Sequence, residues 1–362
     1  MTGRILFIML GKRDFVSGGY IFNFRMVEML RETGFDVEVV HYRSVPRGIT
    51  GSWIDSSRYV RSRAAEYGPD LIIIGKSYQY VPLLRLSRLS RRTPVLYLMH
   101  HLEWTDSGNR VRSRLYRKYV GWLLGMADRV WSNSGNTASA LKGMGIPEGR
   151  IRVISPGFEK TGEPPPDRGG REGPVRLLSV GSISRRKDQE TLLRACHLLD
   201  GEDFLLELAG STSSEPSYAR SIEKLAEELG LGSRTEISGS LDPERLREAY
   251  RRADILVHTA SWEAFGMSIL EGMWQGLPVV ATDVAGIPEL VADGDNGILV
   301  PPGEPGMLAE ALRKLIFDPG LRASMGTRSR EIAGGMNDWD GTDAGFLELV
   351  EECIALGAQR GG

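Results

Sequence analysis

The sequence predicts an α/β fold of two similar-sized halves, each a parallel sheet covered by helices. Three observations predict it. Short apolar runs alternate with helical patterns along almost the whole chain. The runs are continuously apolar rather than alternating, as in strands buried on both faces. The pattern also stops once, in the polar stretch Glu159–Arg176 with its four Pro and four Gly, and then restarts.

In the first half the expected strands are Ile5–Leu10, Val37–His41, Leu71–Gly75, Val95–His100 and Arg129–Ser132, with Arg152–Ile154 as a short last one. Tyr20–Thr33 carries apolar residues at 20, 24, 27 and 30, one face of a helix. Asp55–Tyr67 and Arg110–Met126 are further helices. After the break, strands are expected at Arg176–Val180, Phe204–Ala209, Thr235–Ser238, Ile255–His258, Val279–Thr282 and Gly297–Val300. Helices fall at Asp188–Leu199, Tyr218–Leu229, Pro243–Arg252, Gly266–Gln275, Ile287–Ala292 and Pro305–Phe317. Trp339–Leu356 is again helical in pattern. The expected domains are 1–158 and 176–335, with 159–175 as linker and a helix in 336–362 crossing back to the first.

Composition narrows the class. The 362 residues are 41% hydrophobic and 25% charged, a globular balance. No apolar run reaches the ~20 residues that span a bilayer. The Ile5–Leu10 run is too short for a signal peptide and precedes the charged Lys12, Arg13 and Asp14. Two distant cysteines make no disulfide framework, which points to a reducing cytoplasm. Residues 1–160 hold 25 Lys and Arg against 13 Asp and Glu, so a net charge of +12 beside −14 in the remainder. A basic half suits an anionic lipid surface, a phosphorylated substrate or a nucleic acid. No nucleic-acid motif is visible, so nucleic acid is set aside. Leu83–Arg92 and Arg110–Lys118 mix Arg with Leu, Val and Tyr, as interfacial helices do, although a solvated helix face reads the same way.

The most informative segment is Ala260–Ala285. Glu263 and Glu271 are separated by seven residues around Phe265-Gly266. Glu263 is expected on the loop after a strand and Glu271 a turn into the next helix. The amides near Phe265, Gly266 and Met267 open that helix and form an anion site. Two acceptors flanking an anion site suit a phosphate carrying hydroxyl groups on both sides, such as a nucleotide sugar. In Gly181-Ser182-Ile183-Ser184-Arg185-Arg186-Lys187, a basic loop follows a strand and precedes a helix.

Residues 263–281 resemble the E-x-F-G and E-x-M-x-x-G-x-P-V-V-A signature of retaining GT-B glycosyltransferases, specifically glycosyltransferase family 4. Gly286-Ile-Pro-Glu289 and Asp293-Gly294 through Pro302 resemble its downstream signature, and Ser17-Gly18-Gly19 its amino-terminal glycine loop. The resemblance covers most of residues 1–320. It implies the GT-B architecture, two Rossmann-like domains facing across a cleft, the first taking the acceptor and the second the donor.

The resemblance also implies roles. The family carries G-R-L-x-x-x-K-G where this chain has Gly181 to Asp188, so Lys187 takes the diphosphate-binding Lys position. Ser182 departs from the usual Arg; the charge then comes from Arg185 or Arg186, or from Lys187 alone. Glu271 would hold ribose hydroxyls and Glu263 those of the transferred sugar. His100, favoured by offset over His101, would face that sugar, while Gly18 and Gly19 border the diphosphate. His41, His197 and His258 are assigned to packing.

The implied reaction is hexosyl transfer with retention, from a nucleoside-diphosphate sugar (UDP by default) to an acceptor hydroxyl of a glycan or lipid-linked glycan. No carboxylate is placed as a nucleophile, which favours front-face attack with the leaving phosphate taking the acceptor's proton. No cofactor is implied, and no metal site is visible in the Cys and His spacing. Two alternatives are a catalytically weak nucleotide-sugar-binding partner protein and a nicotinamide-dependent oxidoreductase. The latter lacks the G-x-G-x-x-G fingerprint.

Overall fold

The computed structural model describes residues 3–10, 18–42, 61–75, 93–100, 102, 110–160, 173–199 and 201–361. Ser17, Leu83–Arg92, His101, residues 55–60 of the expected second helix and residues 161–172 of the expected linker lie outside these. The chain divides into two compact units, Met1–Gly157 with Asn337–Gly362, and Phe158–Met336.

In the first unit, β1 (Arg4–Leu10), β2 (Asp36–Tyr42), β3 (Leu71–Gly75), β4 (Val95–Met99), β5 (Arg129–Ser132) and β6 (Ile151–Val153) form one parallel sheet, ordered β2-β1-β3-β4-β5-β6. Its central strands bury both faces. Leu6, Ile8, Ile72, Ile74 and Tyr97 serve one core, while Ile5, Phe7, Leu71, Ile73 and Leu96 serve the other. That is why the strands read as unbroken apolar runs. Helix α1 (Gly18–Glu32) lays Phe22, Met26 and Leu30 on the second face, α2 covers 61–67 and α3 spans Arg110–Leu124. The sequence pattern missed α4 (Gly135–Lys142), a short helix whose Ser134 hydroxyl accepts from the Thr137 amide. The last helix, α11 (Trp339–Gly361), buries Phe346, Leu349, Val350 and Cys353 beside α1. Arg129 fastens it to the sheet, 2.6 Å from Glu352.

The second unit repeats the plan with β7 (Val175–Val180), β8 (Phe204–Ala209), β9 (Thr235–Gly239), β10 (Ile255–His258), β11 (Val279–Thr282) and β12 (Gly297–Val300), ordered β12-β11-β10-β7-β8-β9. This is the doubly wound, Rossmann-like order, whose direction reverses between β7 and β10. Loops at the carboxyl ends of those two strands are where such sheets bind ligands. Its helices are α5 (Gln189–His197), α6 (Pro216–Glu228), α7 (Pro243–Arg252), α8 (Met267–Trp274), α9 (Pro305–Phe317) and α10 (Pro319–Gly335).

Two elements of the second unit depart from expectation. The helix expected at Ile287–Ala292 is a single 3-10 turn, Ile287–Glu289. Buried Asn296 ends it: its Oδ1 accepts from the Ala292 amide at 2.7 Å and its Nδ2 donates to the Leu290 carbonyl at 3.1 Å. The sequence pattern also missed α10, because its buried face is Met325, Gly326, Ser329 and Ala333 rather than a leucine stripe. A Cβ on Gly326 would lie 2.3 Å from the Gly276 carbonyl oxygen, so the small residue lets α10 approach. Among the described residues, no helix is long and apolar enough to cross a membrane.

Candidate active site

Glycines set the first loop. Gly181 closes β7 at φ +151°, and its carbonyl lies so near Gly210 that a Cβ there would be 1.9 Å away. A side chain on Gly181 would instead meet the Lys187 Cε at 3.0 Å. The loop then returns to the sheet: Thr259 Oγ1 donates to the carbonyls of Lys187 and Asp188 at 2.9 and 3.0 Å. Asp188, in the left-handed region at φ +50°, caps α5 through Thr191.

The second loop follows β10. Its start is tied by Thr282 Oγ1, 2.6 Å from the Ala260 carbonyl, and its middle by the Gly286 amide, 2.9 Å from the Glu263 carbonyl. A Cβ on Gly286 would stand 2.2 Å from the Ala264 oxygen, so the glycine permits this clasp. The two loops thereby bring Lys187 to Glu263, with Nζ 2.5 Å from Oε2 and both side chains largely buried. Arg186 donates to the same oxygen at 3.2 Å and to the Trp262 carbonyl at 2.9 Å. Glu263 Oε1 takes no hydrogen bond among the described residues and stays open to a ligand. Arg185 goes elsewhere, its guanidinium 5.5 Å from the Tyr218 ring centre. The Ser182 hydroxyl pairs with Ser184 at 3.3 Å.

This cluster polarises its members. Burial would raise the Glu263 carboxyl, but Lys187, His258 and Arg186 together outweigh it and hold the group well below the usual carboxylate range. Burial lowers Lys187 in turn, and Glu263 only partly restores it. His258, the last residue of β10, is buried with Nε2 at 3.4 Å from Glu263 Oε2. Burial and the Lys187 charge push its pKa down to about 4, so the imidazole is neutral at physiological pH. Sequence reasoning assigned this histidine to packing; the path of the loop after β10 brings Glu263 back against it.

Helix α8 opens beside Glu263. Gly266 caps it at φ +99°, a conformation that favours glycine. The amides of Phe265, Gly266, Met267 and Ser268 donate to nothing among the described residues, so they form a helix amino terminus free to bind an anion. The Phe265 ring itself is core, leaving only its backbone for a ligand. Glu271 sits one turn in. Its Oε2 accepts from Tyr250 at 2.8 Å, and that hydroxyl also reaches the Ser268 carbonyl at 3.1 Å. Burial raises the Glu271 carboxyl and the Tyr250 hydrogen bond partly offsets it. Tyr250, on α7, is a second residue that spacing does not reveal.

In the first unit, His100 follows the end of β4 rather than closing it and is buried. Its Nε2 is 2.8 Å from Asn23 Oδ1, and its ring packs edge-on to Phe22 and Trp131. Gly19 opens the space: a Cβ there would fall 3.0 Å from the His100 Cγ, whereas one on Gly18 would meet nothing within 4 Å among the described residues.

Residues 165–332 match the family described as glycosyl transferases group 1, and residues 23–157 match the glycosyl transferase 4-like domain. A D-inositol 3-phosphate glycosyltransferase of Nocardia farcinica is 32% identical over 245 residues, covering 64% of this chain and 54% of that protein. The chain thus spans about half the length of the curated relatives it matches. A solved sucrose-phosphate synthase from Thermosynechococcus elongatus superposes with a TM-score of 0.82 at 22% identity, covering 98% of this chain and 100% of that one. Anabaena HepE in complex with UDP-glucose gives 0.75 at 22% identity, covering 97% and 100%. At such identity these two likenesses speak for the fold, GT-B, alone.

Proposed function

The chain belongs to the glycosyl transferases group 1 family, and on that premise we propose that it moves a hexosyl group from a nucleoside-diphosphate sugar to an acceptor hydroxyl, with retention and without a metal ion. One observation carries the donor reading. At the reversal point of the second sheet, Lys187, Arg186 and Glu263 converge beside four amides that donate to none of the described residues, with Glu271 one turn further on. Lys187 and the α8 amides would take up the negative charge that grows on the departing diphosphate. Glu271, with Oε2 held by Tyr250, would offer its other oxygen to the ribose hydroxyls. Glu263 would offer Oε1 to the transferred sugar. His100 is assigned to orienting that sugar by family resemblance, and Asn23 fixes its ring. Uridine is the default base, as the family resemblance implies. A glycan or lipid-linked glycan in the cytoplasm is the proposed acceptor.

The test is thermal stabilisation by UDP-glucose, GDP-mannose, ADP-glucose and dTDP-glucose, followed by donor hydrolysis or transfer. A ligand at ~100 times its dissociation constant adds ~2.7 kcal/mol to stability. A shift with one nucleotide and turnover of that sugar is expected. No shift with any would overturn the donor site, and a shift without turnover would select the nucleotide-sugar-binding partner protein. Added EDTA should leave the rate unchanged.

Membrane contact is a further part of the reading, and α3 favours it. The helix has five Lys and Arg and no acidic residue. Val120, Leu123 and Leu124 face the core, yet Leu115, Tyr119 and Trp122, at helical spacing, are 65%, 38% and 49% exposed. Arg114 and Lys118 flank this stripe on the surface. Aromatic and aliphatic anchors between cations fit an anionic lipid surface. A second copy of the helix would bring like charges together.

A further inference from the structure

His258 stands beside the Lys187–Glu263 ion pair without a hydrogen bond of its own among the described residues. It is 3% exposed at the carboxyl end of β10, and its Nε2 makes no hydrogen bond among the described residues. A buried nitrogen left unpaired costs stability, and a leucine would fill the same place without that cost. The nitrogen is nonetheless aimed at one atom, Glu263 Oε2, from 3.4 Å. That oxygen already receives Lys187 at 2.5 Å and Arg186 at 3.2 Å.

We infer that His258 is a positioning residue that takes over Glu263 Oε2 when Lys187 turns to the donor diphosphate. The inference rests on the proposed role of Lys187. An ammonium that serves the leaving phosphate must loosen its hold on Glu263, and a largely buried carboxylate left without a donor would resist that release. A shift of a few tenths of an ångström brings the neutral imidazole N–H into hydrogen-bond range. Glu263 then stays ionised and aimed while Lys187 is free to leave. Arg186, at the rim with its side chain 37% exposed, is a weaker substitute because solvent screens it.

The test uses the full chain and the same four nucleotide sugars. His258→Leu should leave the ligand-free melting temperature unchanged or higher, since no native hydrogen bond is lost. The same variant should weaken nucleotide-sugar binding about tenfold, the loss of one hydrogen bond to a charged group. KM should rise more than kcat falls. His258→Gln keeps an N–H donor and should restore binding to within about threefold; it also serves if the leucine variant fails to fold. Wild-type affinity in His258→Leu would overturn the inference while leaving the donor reading intact. So would a lower ligand-free melting temperature in both variants with binding unchanged, which marks a packing residue. Absence of binding by the wild type to all four sugars would instead overturn the donor reading and this inference with it.

Discussion

Lys187 and Glu263 are 76 residues apart in the chain and 2.5 Å apart in the fold. In the fold each is the other's principal counter-ion. Donor binding is therefore an exchange of partners, in which the ammonium passes from a carboxylate to a phosphate of higher charge. That exchange makes affinity depend on how firmly Glu263 is held by its remaining neighbours.

Lys187→Ala should weaken nucleotide-sugar binding by ~1.5–3 kcal/mol, the range for a hydrogen bond to a charged group. It should also destabilise the ligand-free protein, because it strands a largely buried carboxylate. The Lys187→Met, Glu263→Gln pair should lose less stability than the sum of the single variants. Calorimetric titration and a denaturant-based double-mutant cycle check these outcomes; additive losses would mean that the pair is not coupled.

The two carboxylates should respond to pH with opposite signs. Glu263 is held below its ordinary value, so its stabilising contribution is present above about pH 4.5 and is lost as the pH falls through its folded value. Glu271 is raised, so its favourable contribution is present below about pH 4.5 and is lost as the pH rises through its folded value. Melting curves from pH 3 to 7 (about that range) should show a shallower acid slope in Glu263→Gln than in wild type. Glu271→Gln should melt a few degrees higher than wild type at neutral pH while binding nucleotide sugar about tenfold less tightly. A higher melting temperature for Glu263→Gln at neutral pH would contradict the ion pair.

Gly18 and Gly19 should part company. Alanine at Gly18 meets none of the described residues at the start of α1 and should be neutral or stabilising by up to ~1 kcal/mol. Alanine at Gly19 presses on the His100 ring and should cost ~1–3 kcal/mol of packing strain, offset in part by helix propensity. Turnover should fall in Gly19→Ala alone. Equal kinetics in the two variants would remove the His100 ring from the catalytic apparatus.

Replacing Leu115, Tyr119 and Trp122 together by serine should abolish sedimentation with vesicles containing phosphatidylglycerol. Their melting temperature should hold, since these side chains face outward. Loss of that binding at high salt would report the contribution of Arg114 and Lys118. Wild-type protein that ignores such vesicles would return α3 to a solvated surface.

What the sequence determined on its own was whatever periodicity and local chemistry encode. Unbroken apolar runs such as Leu71–Gly75 announce strands buried on both faces, and the Pro-led helices at Pro243 and Pro305 start where their first residue says. The motif around Glu263 and Glu271 is legible because both residues lie within one loop and one helix. Helix α10 was not, since Gly326, Ser329 and Ala333 pack by being small and leave no hydrophobic period. The choice between Arg185 and Arg186 was likewise closed to spacing; adjacent side chains diverge, one to Tyr218 and one to Glu263. Only the tertiary structure decided that His258 stands behind Glu263, that Tyr250 holds Glu271 and that Asn23 holds His100. Tyr250 with Glu271 and Asn23 with His100 join residues on different elements, while His258 meets Glu263 through the path of the loop after β10. Those paths are set by how whole faces pack, which hydrophobic periodicity does not encode.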